Sequence, residues 1–374
     1  MKIIIAGAYT IGTYLAQFLS RNKYNIILID EQEERLNKIG QDYDLLTLQG
    51  KPTSIQILQE ADVKHADLFI AVDPKETTNI TACTMAHHLG AKKTVAKIDN
   101  PEYLEPKNQE LFKQLGVDSL IYPELLAAKD IINGLKMSWV RQRWDVRGGA
   151  LVMLGIKLRD TCAILDKPLR EISGPNDPYH IVAIKRRNET IIPGGNETLQ
   201  REDLAYFMTT KEYIPYVRKL TGKEHYVDVK NVMIMGGGRT AVRSVKIMPE
   251  YMDIKIIENS FDRCEYLNEM FDESVLVING DGRDTDLLIE EGIRHTQAFV
   301  ALTPNAETNI LACMAAKSLG VRKTIAAVEN FDYVDMAANL DIGTIINKRA
   351  IAAGYIYQML LDANVSNVRF LMSV

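Results

Sequence analysis

One long passage of this chain occurs twice, and each occurrence opens with an apolar strand that runs into a glycine turn. The first reads Lys2-Ile-Ile-Ile-Ala-Gly7-Ala-Tyr-Thr-Ile-Gly12 and the second Asn231-Val-Met-Ile-Met-Gly236-Gly-Gly-Arg-Thr-Ala241. Farther along, Phe69 to Tyr103 and Phe299 to Tyr333 align without a gap and share 16 identities in 35 positions. Agreement of that extent marks an internal duplication of a whole domain. A chain of 374 residues has room for both copies and for a further domain between them.

Within each copy short apolar runs alternate with amphipathic stretches. In the first, strands are expected at Lys2 to Ala6, Asn25 to Ile29, Leu45 to Leu48, Leu68 to Val72 and Thr94 to Ile98, with helices at Ile11 to Arg21, Glu33 to Gln41, Ser54 to Glu60 and Thr77 to Leu89. The second repeats the order, with strands at Asn231 to Met235, Ile254 to Ile257, Val275 to Ile278, Ala298 to Leu302 and Thr324 to Val328. Apolar strands separated by helices imply parallel sheets covered on both faces. The fold class is therefore α/β, two Rossmann-like doubly wound domains.

The glycine turns carry the chemistry. In a dinucleotide fold the first glycine makes the tight turn, the second admits a pyrophosphate to the backbone, and the third packs helix on strand. Helix amides and about half a unit of positive dipole charge hold the phosphate. An acidic residue ending the second strand accepts ribose hydroxyls, and Asp30 and Glu258 stand there. The second copy offers Gly236, Gly237, Gly238, Arg239, Thr240 and Ala241, followed after its third strand by Gly280-Asp281-Gly282. The first offers Gly7, Ala8, Tyr9, Thr10, Ile11 and Gly12, with Tyr9 in the place of the middle glycine and Gly50-Lys51-Pro52-Thr53 in place of the later turn. The side chain of Tyr9 either blocks the pyrophosphate path or stacks on a different nucleotide. Asp73 with Pro74, and Thr303 with Pro304, follow the fourth strands, at the carboxyl edge where open sheets bind ligands. Arg239 reads as a phosphate contact or a solvated side chain, and Lys97 as a nucleotide contact or a salt bridge.

Between the copies the pattern changes. Pro123 to Arg143 reads as one long connecting helix, and from Ala150 short strands and turns follow at Leu151 to Leu158, Ile181 to Arg186, Thr190 to Pro193 and Leu204 to Met208. This is a small α+β domain. Arg186-Arg187-Asn188-Glu189 reads as a solvated hairpin tip, and Asp177 and Asp203 as a cation site or, at least as well, as a turn and a strand start.

Composition removes several alternatives. A net charge of −5 offers no basic field for nucleic acid, and no apolar run approaches the roughly 18 residues that span a bilayer. The start lacks the features of a signal peptide, so the expectation is a cytoplasmic protein with no direct membrane insertion. Cys83, Cys162, Cys264 and Cys313 show no metal spacing, and Cys83 and Cys313 read as buried small hydrophobes. An oxidoreductase would need an acid or base beside the nicotinamide, yet the middle domain offers only the isolated His180, while His87 and His88 read as a solvated helix face. No catalytic or metal-ligating residue is assigned.

The glycine turns, the pairs Thr78-Asn79 and Thr308-Asn309, the linking helix, and a lobe carrying Lys167-Pro168-Leu169-Arg170-Glu171-Ile172 and Ile191-Ile192-Pro193-Gly194 together resemble the RCK, or KTN, module that regulates potassium transport. The tandem order is similar to the cytosolic regulatory subunits of bacterial Trk-type potassium uptake systems. The resemblance implies an RCK N-lobe over 1–122, a linking helix over 123–145, a C-lobe over 146–220, a second N-lobe with its connecting helix over 228–364, and over 365–374 the first strand of an incomplete second C-lobe. It implies a regulator rather than an enzyme, binding NAD or NADH, with ATP and ADP as further ligands. The implied partners are an integral membrane potassium channel subunit of the Trk type and further copies of the chain, as a dimer or tetramer ring at the inner face of the plasma membrane. Carried over by position, Gly236, Gly238, Arg239, Thr240, Ala241, Glu258, Asp281 and Thr303 match the family's second site, and Gly7, Ala8, Thr10, Ile11, Gly12, Asp30, Asp73 and Lys97 its first.

Overall fold

A computed structural model describes residues 1–360 except 22–23, 147–148, 175 and 188. The turn residue Asn188 and the segment 361–374 lie outside the described residues.

The first copy consists of β1 (Lys2–Ala6), α1 (Thr10–Ser20), β2 (Asn25–Asp30), α2 (Glu33–Gly40), β3 (Leu46–Gln49), α3 (Ile55–Glu60), β4 (Leu68–Ala71), α4 (Glu76–His88), β5 (Thr94–Lys97), α5 (Pro106–Gln114), β6 (Ser119–Ile121) and α6 (Pro123–Leu135). Its sheet is parallel with strand order β3-β2-β1-β4-β5-β6. Ile3, Ile4 and Ile5 are fully buried, because helices cover both faces and successive side chains point to opposite ones. The order reverses direction between β1 and β4, and the crevice of such a fold opens at that switch point.

A small antiparallel domain follows, with β7 (Gln142–Val146), β8 (Leu151–Lys157), α7 (Leu169–Ile172), β9 (Tyr179–Arg186), β10 (Glu189–Ile191), β11 (Leu204–Thr209) and α8 (Ile214–Leu220) in the order β10-β9-β11-β8-β7. The helix expected to reach Arg143 stops at Leu135, and residues 142–146 form the edge strand β7, paired with β8. The physical reason is local: Trp144 must face inward, where it stacks on Tyr206 at 5.9 Å between ring centroids, while Asp145 stays in solvent. That alternation of two suits a strand. Arg186 is also not a solvated tip. Its guanidinium grips Asp203, only 1% exposed, through two bonds of 2.9 Å and adds Glu197 at 3.0 Å, which makes Asp203 a structural anchor. Asp177 accepts the amide of Gly174, the turn role expected of it.

The second copy comprises β12 (Asn231–Met235), α9 (Arg239–Lys246), β13 (Asp253–Glu258), α10 (Phe261–Phe271), β14 (Val275–Asn279), α11 (Thr285–Glu290), β15 (Ala298–Ala301), α12 (Ala306–Ser318), β16 (Lys323–Ala327), α13 (Phe331–Asn339), β17 (Thr344–Ile346) and α14 (Lys348–Leu360). Its order, β14-β13-β12-β15-β16-β17, is that of the first. Each copy thus has a sixth strand, β6 or β17, beyond the five expected. Cys83 and Cys313 occupy matching core positions with no exposure, and burial pushes the Cys313 thiol up to about 12, so both act as hydrophobes.

The chain divides into two compact units, one of Met1–Leu126 with 349–360 and one of Ala127–Lys348. Among the described residues no helix is long and apolar enough to cross a membrane, and no cluster of three or more His, Cys, Asp or Glu could hold a metal ion.

Candidate nucleotide sites

Each glycine turn is built the same way. Gly7 and Gly236 adopt φ of +104° and +95°, a left-handed conformation that favours glycine. A Cβ on Gly7 would come within 2.9 Å of the Asp73 amide nitrogen, and one on Gly236 within 3.2 Å of that of Thr303, so each turn lies directly on the residue that follows the fourth strand. A Cβ on Gly12 would meet the Gly7 carbonyl oxygen at 1.8 Å, which requires glycine for close packing. Ala241 holds the corresponding place in the second copy and is fully buried.

The acidic residues brace these turns. Asp30 accepts the Ala8 amide at 2.7 Å, and Glu258 accepts the Gly237 amide at 2.7 Å. Their other oxygens accept the amides of Gln32 and Ser260, both at 2.9 Å. A carboxylate has about four lone-pair sites, so ribose hydroxyls can still be accepted where solvent reaches it. Glu258 is half-buried, whereas Asp30 is 3% exposed and also takes Arg35 at 3.3 Å.

The helix starts favour anions. The caps Tyr9 and Gly238 make no side-chain cap bond, and neither α1 nor α9 has an acidic residue in its first turn. By contrast α11 and α12 are capped by Asp284 and Asn305. An uncapped helix start leaves amide donors and the positive dipole end for a ligand. A Cβ on Gly238 would meet nothing within 4 Å, so the second turn is open to solvent beside its helix start. Tyr9 keeps the extended backbone of Gly238, with φ −83°, ψ −172° against −69°, −178°. Its phenol lies under the Arg35 guanidinium, 3.7 Å from the ring centroid, a cation–π contact.

Other expected residues divide. Asp73 and Thr303 reach the turns, while Pro74 and Pro304 point to solvent. Lys97 takes the salt bridge, with Asp99 at 3.1 Å. The Asp281 carboxylate is engaged by Arg283 at 2.6 Å, which lowers its pKa, although Gly282 lies over Met235 at the base of the turn. Thr10 and Arg239 are exposed at the helix starts, and Ile11 and Thr240 are buried beneath them.

Sequence reasoning missed one pair of residues and the role of another. Arg35 and Arg263, each five residues past the acidic position, both reach over the turn, and Arg263 Nε donates to the Gly237 carbonyl at 2.8 Å. The fully buried Asn79 and Asn309 clamp the ends of the central strands. Asn309 accepts from the Thr303 amide at 3.1 Å and donates to the carbonyls of Thr303 and Ala327 at 2.9 and 2.8 Å, and Asn79 repeats this with Asp73 and Lys97. The sequence showed Asn79 and Asn309 as a repeated Thr-Asn pair but not this clamping role, and the equal spacing of Arg35 and Arg263 from the acidic residues is visible when the copies are aligned.

The model of the TrkA-N domain matches residues 3–123 and again 232–348, which together exceed half of the chain. The chain belongs to the TrkA-N domain family. The TrkA-C domain model matches residues 153–222, between the two N domains. Among curated relatives, the Trk system potassium uptake protein TrkA of Halomonas elongata is 29% identical over 99% of this chain and 81% of its own length. The TrkA homolog of Archaeoglobus fulgidus is 28% identical over 96% of this chain and 81% of its own length. Among solved structures, the GsuK RCK domain superposes with a TM-score of 0.68 at 16% identity, covering 96% of this chain and 76% of that one. The GsuK channel bound to NAD gives 0.67 at 17% identity, covering 96% and 63%. At such identities the superpositions establish the fold: two Rossmann-like domains with an antiparallel domain between them.

Proposed function

We propose that this chain is the nucleotide-sensing regulatory subunit of a bacterial potassium uptake system, binding NAD or NADH, and ATP or ADP, at its glycine turns and acting on an integral membrane channel subunit of the Trk type. The observation that carries this is the uncapped α9 start at Gly238, with Glu258 bonded to the adjoining Gly237 amide and open space beside Gly238. The family's relatives carry the name of potassium uptake proteins, and a solved neighbour is a channel bound to NAD, which supports the same ligand class here. The sites we assign are the second-copy residues Gly236 to Ala241 with Glu258, Asp281 and Thr303, and the first-copy residues Gly7 to Gly12 with Asp30, Asp73 and Lys97.

A nucleotide bound here would supply charged phosphates to the helix start, and the protein's part is to hold them with backbone amides while the acidic residue orients the ribose. Regulation follows only from a difference in affinity between two states of the assembly, of about 1–3 kcal/mol. We place the chain at the cytoplasmic face of the membrane, held by the channel subunit, as a dimer or tetramer ring. Isothermal titration with NADH, NAD, ATP and ADP tests the ligand assignment. One equivalent per chain that disappears in Gly238→Asp assigns the second turn, and a second equivalent that survives assigns the first despite Tyr9. Heat from none of the four would refute the proposal.

A further inference from the structure

The two nucleotide lobes differ at the opposite edge of their sheets, where the strands begin. In the first lobe three basic side chains there, Lys2, His65 and Lys92, each have a carboxylate. Asp62 takes Lys2 at 2.8 Å and His65 at 2.7 Å, while Asp67 takes Lys92 at 2.7 Å and caps the Lys2 amide at 2.8 Å. In the gapless alignment of this region Lys64, His65 and Lys92 become Arg294, His295 and Arg322, so the basic residue types persist. Asp62 becomes Gly292 and Asp67 becomes Gln297, so both carboxylates are gone. The backbone is unchanged, since Asp62 and Gly292 are both left-handed, with φ of +53° and +82°. Gln297 also keeps the capping role of Asp67, accepting the amides of Asn231 at 2.8 Å and Lys230 at 3.1 Å. Only the charge has been removed.

These basic side chains line a groove. A cavity of about 350 Å³ is bounded by Arg294, His295, Thr296, Gln297 and Arg322 and closed by Ser138, and its lining holds no carboxylate. Arg322 spends one donor on the His225 carbonyl at 3.2 Å. Among the described residues Arg294, His295 and Arg322 make no salt bridge, although Glu224 and Asp228 lie on the neighbouring segment outside the lining. Two guanidiniums present planar forks of N–H donors suited to phosphate oxygens. The volume is at the small end of ligand pockets.

We infer that this groove is a second anion site, for a small phosphate-bearing ligand with more than one negative charge, distinct from the glycine turns at the carboxyl ends of the same strands. Its affinity falls as salt is raised. The test is titration of the full chain with inorganic pyrophosphate, in wild type and in Gln297→Asp and Arg294→Gln. Gln297→Asp restores the first lobe's arrangement, keeps the cap and pairs Arg322, so the fold is preserved. Each substitution is expected to weaken binding at least tenfold. The same titration of Gly238→Asp reports any pyrophosphate seated in the second glycine turn. Absence of binding to wild type overturns the inference, and so does affinity that survives both groove substitutions, whether or not it falls in Gly238→Asp.

Discussion

Lys323 shows how one equivalent position can acquire a different chemistry. Its first-copy counterpart Lys93 is exposed, but Lys323 is 1% exposed, covered by the small domain, and donates to the Val140 carbonyl at 2.7 Å and to Thr344 at 3.0 Å. Burial pushes its ammonium down to about 7, and nearby Arg141 adds repulsion. The unfolded lysine titrates near 10.5. Between those values the unfolded chain holds a proton that the native state has released, so stability rises with pH through that window and the full penalty applies below it. The slope approaches about 1.4 kcal/mol per pH unit at most. Urea unfolding of wild type and Lys323→Met at pH 7 and pH 9 checks this. Wild type should gain about 1–2 kcal/mol on Lys323→Met over the interval, and parallel pH profiles would show that Lys323 does not titrate there.

At the level of elements, the clamp made by Asn309 ties the end of β15 to the end of β16 from within α12. Replacing it by alanine removes the partner of the Thr303 amide and of two carbonyls in a partly buried place, at a cost of about 2 kcal/mol. Asn309→Ala should therefore lower the denaturation midpoint, and it should also weaken nucleotide binding, because Thr303 lies against Gly236. Unchanged affinity beside lowered stability would separate the clamp from the site. The strands and helices of each copy were legible because continuous apolar runs such as Ile3-Ile4-Ile5 allow little else. Elements were missed where that signal was short or mixed. The edge strands β6 and β17 have three residues each, too few to show a period. The overrun of α6 to Arg143 carried the helix past Leu135 as far as Trp139, yet Trp139 and Val140 belong to the core of the small domain. Of the site, the turns and acidic residues could be read from local pattern. The partners of Lys97, Asp281 and Arg186 could not, since those pairings depend on how loops meet in space.

Over the whole molecule, the chain passes between the two compact units through its connecting helices. The first copy's α6 ends within the second unit, whereas α14, which follows the second copy in sequence, belongs to the unit of the first and sets Tyr357 edge-on to Phe18 at 5.4 Å. Each unit therefore contains a helix contributed by the other copy, and the two have distinct weak points. In the first it is the apolar face of α14, where Ile356 is fully buried. In the second it is Asp341, just past α13, whose carboxylate receives Arg141, Arg159 and Lys317. Burial alone would raise its pKa, but those three cations hold it at about 2. The depressed value means that this stabilisation is complete above the ordinary carboxylate range and disappears as pH falls from about 4 toward 2. Ile356→Ala should cost the first unit about 3 kcal/mol through lost burial and a residual cavity. Asp341→Ala should cost the second about 2 kcal/mol near neutral pH, because it leaves partly buried arginines without their counter-ion. Calorimetry of the two variants and the double variant can separate these effects. Each substitution should lower a different transition, and the double variant should show both shifts nearly unchanged, as expected for sites without shared partners. A single transition moved equally by either substitution would mean that the exchanged helices make the two units unfold as one.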